Sequence, residues 1–183
     1  YAAARHGADY GLLTGEVRYD HAKVVQRKDK VIKTLISGIG VTMSSHNIKV
    51  YSATARIEGR AADGTFTVYA GEELIAADRL VIATGSVTAV PPVTGLKEGL
   101  ESGFVLTNRE ILDLQELPDS LVCIGGGVIG LEMACYFATV GVKVTVIEMM
   151  DKIAGPTDAD ICKTLMKTYE KEGMEFKLSA KVL

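Results

Sequence analysis

Residues 121–132 read LVCIGGGVIGLE, and the glycines in this stretch limit the possible folds more than any other feature. Three consecutive glycines are costly to order and favour neither a strand nor a helix, so the bare backbone itself must be needed there. An apolar run over 121–124 precedes them and predicts a buried strand, while a helical pattern over 128–140 follows them. The stretch therefore predicts a sharp strand-to-helix turn whose backbone is closely approached.

The spacing of these glycines matches a known way of binding a pyrophosphate. Gly125, Gly127 and Gly130 follow the pattern G-x-G-x-x-G, and a second buried strand over 142–147 ends at Glu148, 18 residues after Gly130. In this setting the first glycine makes the turn, the second admits the pyrophosphate, and the third lets the helix pack against the strand. Unpaired N–H groups at the start of the helix supply the donors. The unit predicts a dinucleotide site, the alternative being a tight turn without a ligand.

The residue at the end of the second strand favours NAD over NADP. The Glu148 carboxylate can accept hydrogen bonds from both hydroxyls of an adenosine ribose, and it would repel a 2′-phosphate. No arginine follows it, since the next residues are Met149, Met150 and Asp151.

The pattern continues to the end of the sequence. Thr157 and Asp160 are predicted to cap a further helix that runs to about Glu172, with Gly173 as its stop, and a third strand begins at Met174. From residue 121 onward the order is β-α-β-α-β, which predicts a parallel, doubly wound α/β sheet.

The first part of the sequence has a different pattern of predicted elements. A helical pattern runs from Asp20, a plausible N-cap, to about Ser44. A small antiparallel meander is predicted next, with Asp63-Gly64 as a hairpin turn and strand-like runs over 49–57, 65–70 and 72–84. The last run is expected to end in a buried strand over 80–84.

Two breaks separate this part from the glycine-rich unit. Pro91 and Pro92 exclude a helix or a central strand, so the chain is expected to cross between units there. Thr107 and Glu110 have capping-box spacing, which predicts a short helix over 108–115.

Composition excludes several classes of function. The net charge of −3 has both signs spread along the 183 residues, which argues against nucleic acid as a main partner. No apolar run approaches the roughly 18 residues that a membrane span needs. The three cysteines, Cys123, Cys135 and Cys162, are widely spaced and favour buried thiols in a reducing compartment, so a cytoplasmic location is predicted.

The motifs taken together resemble one family. The runs RLVIATGS over 79–86, VCIGGGVIGLE over 122–132 and VTVIE over 144–148, with a proline-containing crossover between the first two, are similar to the flavoprotein disulfide reductases. The dihydrolipoamide dehydrogenases are the members it resembles most. The resemblance implies a partial FAD-binding domain with an antiparallel meander over 1–116, followed over 117–183 by the first half of a Rossmann-type NAD-binding domain.

The resemblance also implies which residues contact the two cofactors. Ala55 and the loop Thr84-Gly85-Ser86 would contact FAD, and Glu132 would lie near the flavin. Val182 would touch the adenine of NAD, and Glu148 would hold its ribose. The pyrophosphate loop would comprise Gly125, Gly126, Gly127, Val128, Ile129, Gly130, Leu131 and Glu132.

The resemblance to the dihydrolipoamide dehydrogenases implies the oxidation of dihydrolipoyl groups through an enzyme disulfide and FAD, with hydride transfer to NAD⁺. The implied partners are lipoyl-carrier proteins of 2-oxo acid dehydrogenase or glycine cleavage complexes, and the whole enzyme would be a homodimer. The family's redox pair, two cysteines separated by four residues, has no counterpart here, and neither has its FAD phosphate loop or its histidine–glutamate pair. His6, His21 and His46 are placed in loop-like or helix-edge settings with no partner acid, and no catalytic residue is assigned.

The sequence is therefore interpreted as an internal piece of a longer enzyme, inactive by itself. Two alternatives stay open. One is a related reductase of the glutathione or mercuric type, and the other is a non-catalytic dinucleotide-binding domain.

Overall fold

A computed structural model describes residues 1–13 and 15–183, which form two compact units. The first unit comprises Tyr1–Lys28 and Thr88–Leu183, and the second comprises Asp29–Val87.

The chain begins with helical elements. Helix α1 spans Ala2–Arg5, a 3-10 helix spans Gly7–Tyr10, and the long helix α2 spans His21–Ser45. The predicted N-cap is confirmed, because Oδ1 of Asp20 accepts a hydrogen bond from the backbone N–H of Lys23 at 3.1 Å. That bond and the ammonium group of Lys23 lower the pKa of the Asp20 carboxyl. Helix α2 is therefore confirmed close to its predicted bounds.

The second unit contains the predicted meander. Strands β1 (Ala55–Arg60), β2 (Phe66–Ala70) and β3 (Glu73–Ala77) pair antiparallel in the order β1-β2-β3. The turn between β1 and β2 is held by Asp63, whose Oδ1 accepts from the backbone N–H of Thr65 at 3.0 Å. The predicted hairpin is confirmed, since an aspartate that bonds the backbone two residues on is the turn chemistry that the sequence indicates.

The prediction of a strand over 80–84 is wrong. Residues 79–93 have no regular secondary structure, and Val81 and Ile82 are 85% and 69% exposed. An apolar run forms a strand only when a neighbour supplies hydrogen-bond partners, and no strand of the described chain pairs with this one.

The crossover differs from its prediction in two places. Residues Leu96–Ser102 form helix α3, which the sequence analysis missed. Half of the predicted capping box forms, because Oε2 of Glu110 accepts from the N–H of Thr107 at 2.8 Å. The Thr107 hydroxyl oxygen accepts from the N–H of Arg109 at 3.2 Å, and Arg109 is the N-cap. The element that follows is a 3-10 helix over Glu110–Asp113 and not a helix over 108–115. The side chain of Ile111, which belongs to this 3-10 helix, packs into the larger core cluster. This packing holds the short turn in place although no longer helix forms.

The rest of the first unit is the predicted parallel sheet. Its elements are β4 (Ser120–Ile124), α4 (Val128–Thr139), β5 (Lys143–Ile147), α5 (Ala159–Lys171) and β6 (Glu175–Lys177). The strands are parallel in the order β4-β5-β6, with Leu121 opposite Val144 and Val146 opposite Phe176. The α/β fold class is thereby confirmed.

One cap in this sheet unit was assigned to the wrong residues. Asp158 is the N-cap of α5, and its Oδ1 accepts from the backbone N–H of Asp160 at 2.9 Å. Thr157 and Asp160, the predicted caps, flank it. The left-handed Gly173, with φ of 88°, ends the helix region as predicted.

Two buried clusters hold this unit together. The larger one joins α4 to β5 and the start of β6, and its buried members are Ile111, Ala134, Phe137, Val142, Val144, Val146 and Met174. The smaller one lies beside α4 and α5 and comprises Leu131, Ile153, Ala154 and Cys162. Helix α4 contributes to both clusters, so its N-terminus is held rigidly against the sheet.

Within the described residues, every helix is too short or too polar to cross a membrane.

Candidate functional site

The turn from β4 into α4 is built as the glycine spacing predicts. Gly125 continues the ladder, because its N–H donates to the carbonyl of Ile147 at 2.8 Å. Its φ of 101° then turns the chain away from the sheet, a conformation that glycine adopts without strain. The loop therefore emerges at the carboxyl end of β4, where parallel α/β sheets bind their ligands.

Gly127 leaves room for a ligand above the start of the helix. It is the N-cap of α4, with φ of −73° and ψ of 168°, and a Cβ at this position would meet no atom within 4 Å. The first-turn N–H groups of Val128, Ile129 and Gly130 have no acceptor among the described residues. Such N–H groups carry the positive end of the helix dipole, so the loop can attract an anionic group such as a phosphate.

Gly130 allows the helix to pack closely on the strand. A Cβ at this position would lie 2.7 Å from the carbonyl oxygen of Gly125 and 3.1 Å from Sγ of Cys123. No larger side chain fits unless the loop backbone moves. The third glycine of the pattern therefore has a packing function, as the sequence predicts.

Glu148 lies against the same loop. Its Oε2 accepts from the N–H of Gly126 at 2.7 Å, and its Oε1 accepts from the N–H of Met150 at 2.7 Å. A carboxylate has about four acceptor positions, so two of them are left for further donors. The carboxylate is thus oriented beside the glycine loop and can still bind hydroxyl groups.

The last predicted NAD residue follows β6. The backbone N–H of Ala180 donates to the carbonyl of Glu148 at 3.0 Å, and the backbone N–H of Ser179 donates to the carbonyl of Met150 at 2.8 Å. These bonds bring the segment that carries Val182 alongside the end of β5. The side chain of Val182 is half-buried.

The remaining predicted residues of the loop point in different directions. Val128 and Ile129 are 60% and 59% exposed, and Glu132 is exposed. Leu131 is buried in the smaller cluster, and its N–H donates to the carbonyl of Gly127 at 3.0 Å. Leu131 therefore stabilises the helix start by packing.

The predicted FAD residues lie in the second unit, at the start of β1 and in the irregular stretch after β3. Ala55 is the first residue of β1 and pairs with Ala70. Thr84, Gly85 and Ser86 lie in the irregular exposed stretch, with φ of 74° at Gly85. That these residues contact FAD stays a prediction.

The three cysteines are free thiols. Cys123 packs beneath the glycine loop, with its Sγ 3.5 Å from the carbonyl oxygen of Gly130, and burial raises the pKa of this thiol. Cys162 is buried and Cys135 half-buried. A thiol with a raised pKa is a poor nucleophile at neutral pH, so Cys123 is suited to packing.

Two groups of residues were missed by the sequence analysis. His21 is buried, not merely at a helix edge, and its Nδ1 lies 3.0 Å from the hydroxyl of Tyr136 and 3.4 Å from that of Tyr19. Burial is the main cause of the raised pKa of Tyr19. The second group, Ile153 and Ala154, lies against Gly126. No local pattern indicates either group, although the aromatic residues flanking Asp20 were a weak signal for the first.

Comparison with protein families gives a match over nearly the whole chain. The model of the pyridine nucleotide-disulphide oxidoreductases matches residues 3–183. Two curated relatives are both dihydrolipoyl dehydrogenases: the protein from Acholeplasma laidlawii is 39% identical over 183 residues, and one from Bacillus subtilis is 37% identical over 191 residues. Both alignments include the whole of this chain, which spans only 53% and 40% of those proteins.

Solved structures agree with this similarity. The copper(II) complex of the HOCl-induced flavoprotein disulfide reductase RclA from Escherichia coli aligns with a TM-score of 0.73 at 26% identity. That alignment covers 98% of this chain and 38% of RclA. LpdA from Mycobacterium tuberculosis aligns with a TM-score of 0.79 at 19% identity, covering 98% of this chain and 39% of LpdA, and supports the fold alone.

Proposed function

The chain belongs to the pyridine nucleotide-disulphide oxidoreductase family, and from that premise we propose that its β4–α4–β5 unit binds NAD. Gly125, Gly127 and the N–H groups of Val128, Ile129 and Gly130 bind the pyrophosphate. Glu148 accepts hydrogen bonds from the adenosine ribose, and Val182 contacts the adenine. The observation that carries this proposal is the open space at Gly127, over unpaired N–H donors and beside an oriented carboxylate.

The same geometry supports NAD in preference to NADP. The Glu148 carboxylate is held by two backbone N–H groups, so it cannot turn away from a ligand without breaking them. A 2′-phosphate placed there would meet a fixed negative charge, and the residues that follow, Met149, Met150 and Asp151, supply no cation. The acid is half-buried, and partial burial limits the screening of this repulsion by salt.

For the whole protein we propose the activity of a dihydrolipoyl dehydrogenase. The support is the identity of 37–39% to two such enzymes, each aligned with all of this chain. In the whole enzyme, Ala55, Thr84, Gly85 and Ser86 would contact FAD, and Glu132 would lie near the flavin. FAD would supply the electron transfer between the enzyme dithiol, once the substrate has reduced the disulfide, and the nicotinamide. Residues 1–116 would belong to the FAD-binding domain and 117–183 to the NAD-binding domain. The partners would be lipoyl-carrier proteins, and the enzyme would be a cytoplasmic homodimer.

The contribution of this chain to that activity is to bind and orient the pyridine nucleotide. The protein supplies the donors and the carboxylate, and the cofactors supply the chemistry. The 183 residues include no two cysteines with the spacing of the redox pair, and burial keeps the Cys123 thiol protonated. We therefore expect residues 1–183 to bind NADH and to lack dihydrolipoamide-dependent turnover.

A second candidate activity follows from the solved structures. The similarity to RclA at 26% identity supports a reductase of another disulfide or of a metal ion. Such an enzyme would use the same nucleotide site with a different electron acceptor.

Two assays distinguish these functions. Titration of the 183-residue chain with NADH and with NADPH tests the site, and the expected result is saturable binding of NADH with weaker binding of NADPH. Assay of the complete protein with lipoamide, glutathione disulfide and a divalent metal ion tests the activity. Preference for lipoamide supports the dihydrolipoyl dehydrogenase, and preference for another acceptor supports the second candidate. Nucleotide binding without turnover of any acceptor would mean a non-catalytic binding protein.

A further inference from the structure

The peptide units around Gly126 are held from two sides. The N–H of Gly126 donates to Oε2 of Glu148 at 2.7 Å, and its carbonyl oxygen accepts from the N–H of Ala154 at 2.8 Å. Gly126 is buried between these two partners. The residue in the middle of the glycine triplet is thus fixed by hydrogen bonds that come from outside the loop.

A side chain from the same outside segment closes the space beside Gly126. Ile153 is 1% exposed, and its Cγ2 would lie 3.2 Å from a Cβ at position 126. The Cβ and Oε2 of Glu148 would lie 3.3 Å from that same Cβ. The G-x-G-x-x-G pattern does not require a glycine at 126, and this packing explains why the sequence has one there.

The segment that holds Gly126 is itself firmly placed. Ala154 has a left-handed φ of 62°, which is strained for a residue with a side chain. Its carbonyl accepts from the N–H of Thr157 at 3.2 Å, and the Thr157 carbonyl accepts from Nζ of Lys152 at 2.8 Å. Ile153 and Ala154 are also buried in the smaller cluster together with Cys162 of α5. A strained backbone persists only where its surroundings determine it, so the segment is a rigid support.

We propose that Ile153 and Ala154 are positioning residues for the dinucleotide. They hold the Gly126 peptides so that the next residues present their N–H groups in the orientation that a pyrophosphate needs. Without this support, three consecutive glycines would sample many conformations, and binding would have to order them. The inference rests on the proposed function, because it assigns these residues a role at the same nucleotide site.

The first test removes a single donor. Lactic acid in place of Ala154 turns its amide into an ester, which deletes the N–H and keeps the side chain. The matched control is 2-hydroxyisovaleric acid in place of Val142, whose N–H donates to the carbonyl of Phe137 at 3.0 Å, away from the loop. Both esters lose one backbone hydrogen bond. We expect the ester at 154 to weaken NADH binding about tenfold, while the control binds like the wild type.

The second test uses ordinary substitutions. Gly126→Ala is expected to weaken NADH binding, because its methyl group would press against Ile153 and displace the loop. Ile153→Leu removes the Cγ2 branch that this methyl group meets, so the double variant is expected to recover part of the lost affinity. Circular dichroism and thermal unfolding of all variants show whether a change in binding is accompanied by a loss of fold.

Three results bear on the inference separately. The positioning role would be overturned if the two esters lost NADH affinity equally, or if the ester at 154 bound NADH like the wild type. Strictly additive effects of the two substitutions in the double variant would also overturn it. Absence of NADH binding in the wild-type chain would overturn the proposed function instead. In that event, the rate of amide hydrogen exchange at Gly126 and Gly127 tests the positioning role. The role predicts faster exchange at these two residues in the ester at 154 than in the control ester.

Discussion

Gly126 and Glu148 are joined by a hydrogen bond from the backbone N–H of the glycine to Oε2 of the carboxylate, with the two atoms 2.7 Å apart. The bond connects the loop after β4 to the end of β5, so the donors proposed to bind phosphate and the acid proposed to bind the ribose are held together before any ligand arrives. Preorganisation of this kind raises affinity by lowering the entropy lost on binding.

Glu148→Gln is expected to weaken NADH binding by about 10- to 100-fold, since hydrogen bonds to a charged group contribute about 1.5–3 kcal/mol. The substitution also removes the charge that repels a 2′-phosphate, so the ratio of NADH to NADPH affinity should fall. Glu170→Gln, at an exposed position of α5, is the control for the loss of one negative charge. Unchanged nucleotide preference in Glu148→Gln would exclude this residue as the ribose-binding acid.

Gly127→Ala is expected to separate binding from stability. The position has a φ of −73° and open space, so an alanine fits the free protein and the free energy of unfolding should change by less than about 1 kcal/mol. The methyl group would occupy the space assigned to the pyrophosphate, so NADH binding should be lost. Calorimetric titration together with denaturant unfolding measures both quantities.

Gly130→Ala is the matched counterpart of Gly127→Ala, and its main expected effect is on stability. Its Cβ would lie 2.7 Å from a backbone oxygen, so the helix must move away from the loop. We expect a loss of about 1–3 kcal/mol in the free energy of unfolding, typical of overpacking in a close-packed site. If Gly130→Ala unfolds like the wild type while Gly127→Ala is destabilised, the assignment of the two glycines is reversed.

Asp158→Ala tests the corrected helix cap. Loss of the side-chain acceptor for the N–H of Asp160 should lower the free energy of unfolding by about 1 kcal/mol. Asp160→Ala removes a first-turn charge and leaves the Asp158 cap in place, so it should cost only a few tenths of a kcal/mol. A larger effect at 160 than at 158 in urea unfolding would restore the cap predicted from the sequence.

The raised pKa of Cys123 predicts slow modification of this thiol. The thiolate is the reactive form, and burial keeps the thiol protonated, so alkylation in the native protein should be at least ~10-fold slower than in guanidinium at pH 8. The native rate should increase as the pH rises further, because more thiolate forms. Peptide mass spectrometry measures the extent of alkylation at each cysteine. Equal alkylation rates of Cys123 in the native protein and in guanidinium would contradict its burial beneath Gly130.

The parts of the fold that the sequence predicted well depend on local patterns. The elements from β4 to β6 each carry their own periodicity and stop signals, such as the left-handed glycines at 141 and 173. The strand expected over 80–84 had the same apolar character, but a strand depends on a neighbour that the pattern does not identify. At α5, three nearby residues were capable of capping, namely Thr157, Asp158 and Asp160, and the backbone conformation and side-chain hydrogen bond of Asp158 distinguish it.

The site could be predicted as far as its motif extends. The spacing from Gly125 to Glu148 indicates both the loop and the acid, because the motif predicts one shared ligand for them. The contact of Ile153 with Gly126 depends on how the segment after β5 folds back, and the burial of His21 depends on Tyr136, 115 residues away. Such long-range packing leaves no mark in the local sequence.

Amide chemical-shift mapping can show whether the β4–α4 loop binds the pyrophosphate of NAD. Titration of the ¹⁵N-labelled chain with NADH is expected to shift the amide resonances of residues 125–131 and 148–150 most, with saturation. The same titration of Gly127→Ala should leave these resonances in place. Shifts concentrated elsewhere in the chain, or none at millimolar NADH, would contradict the account.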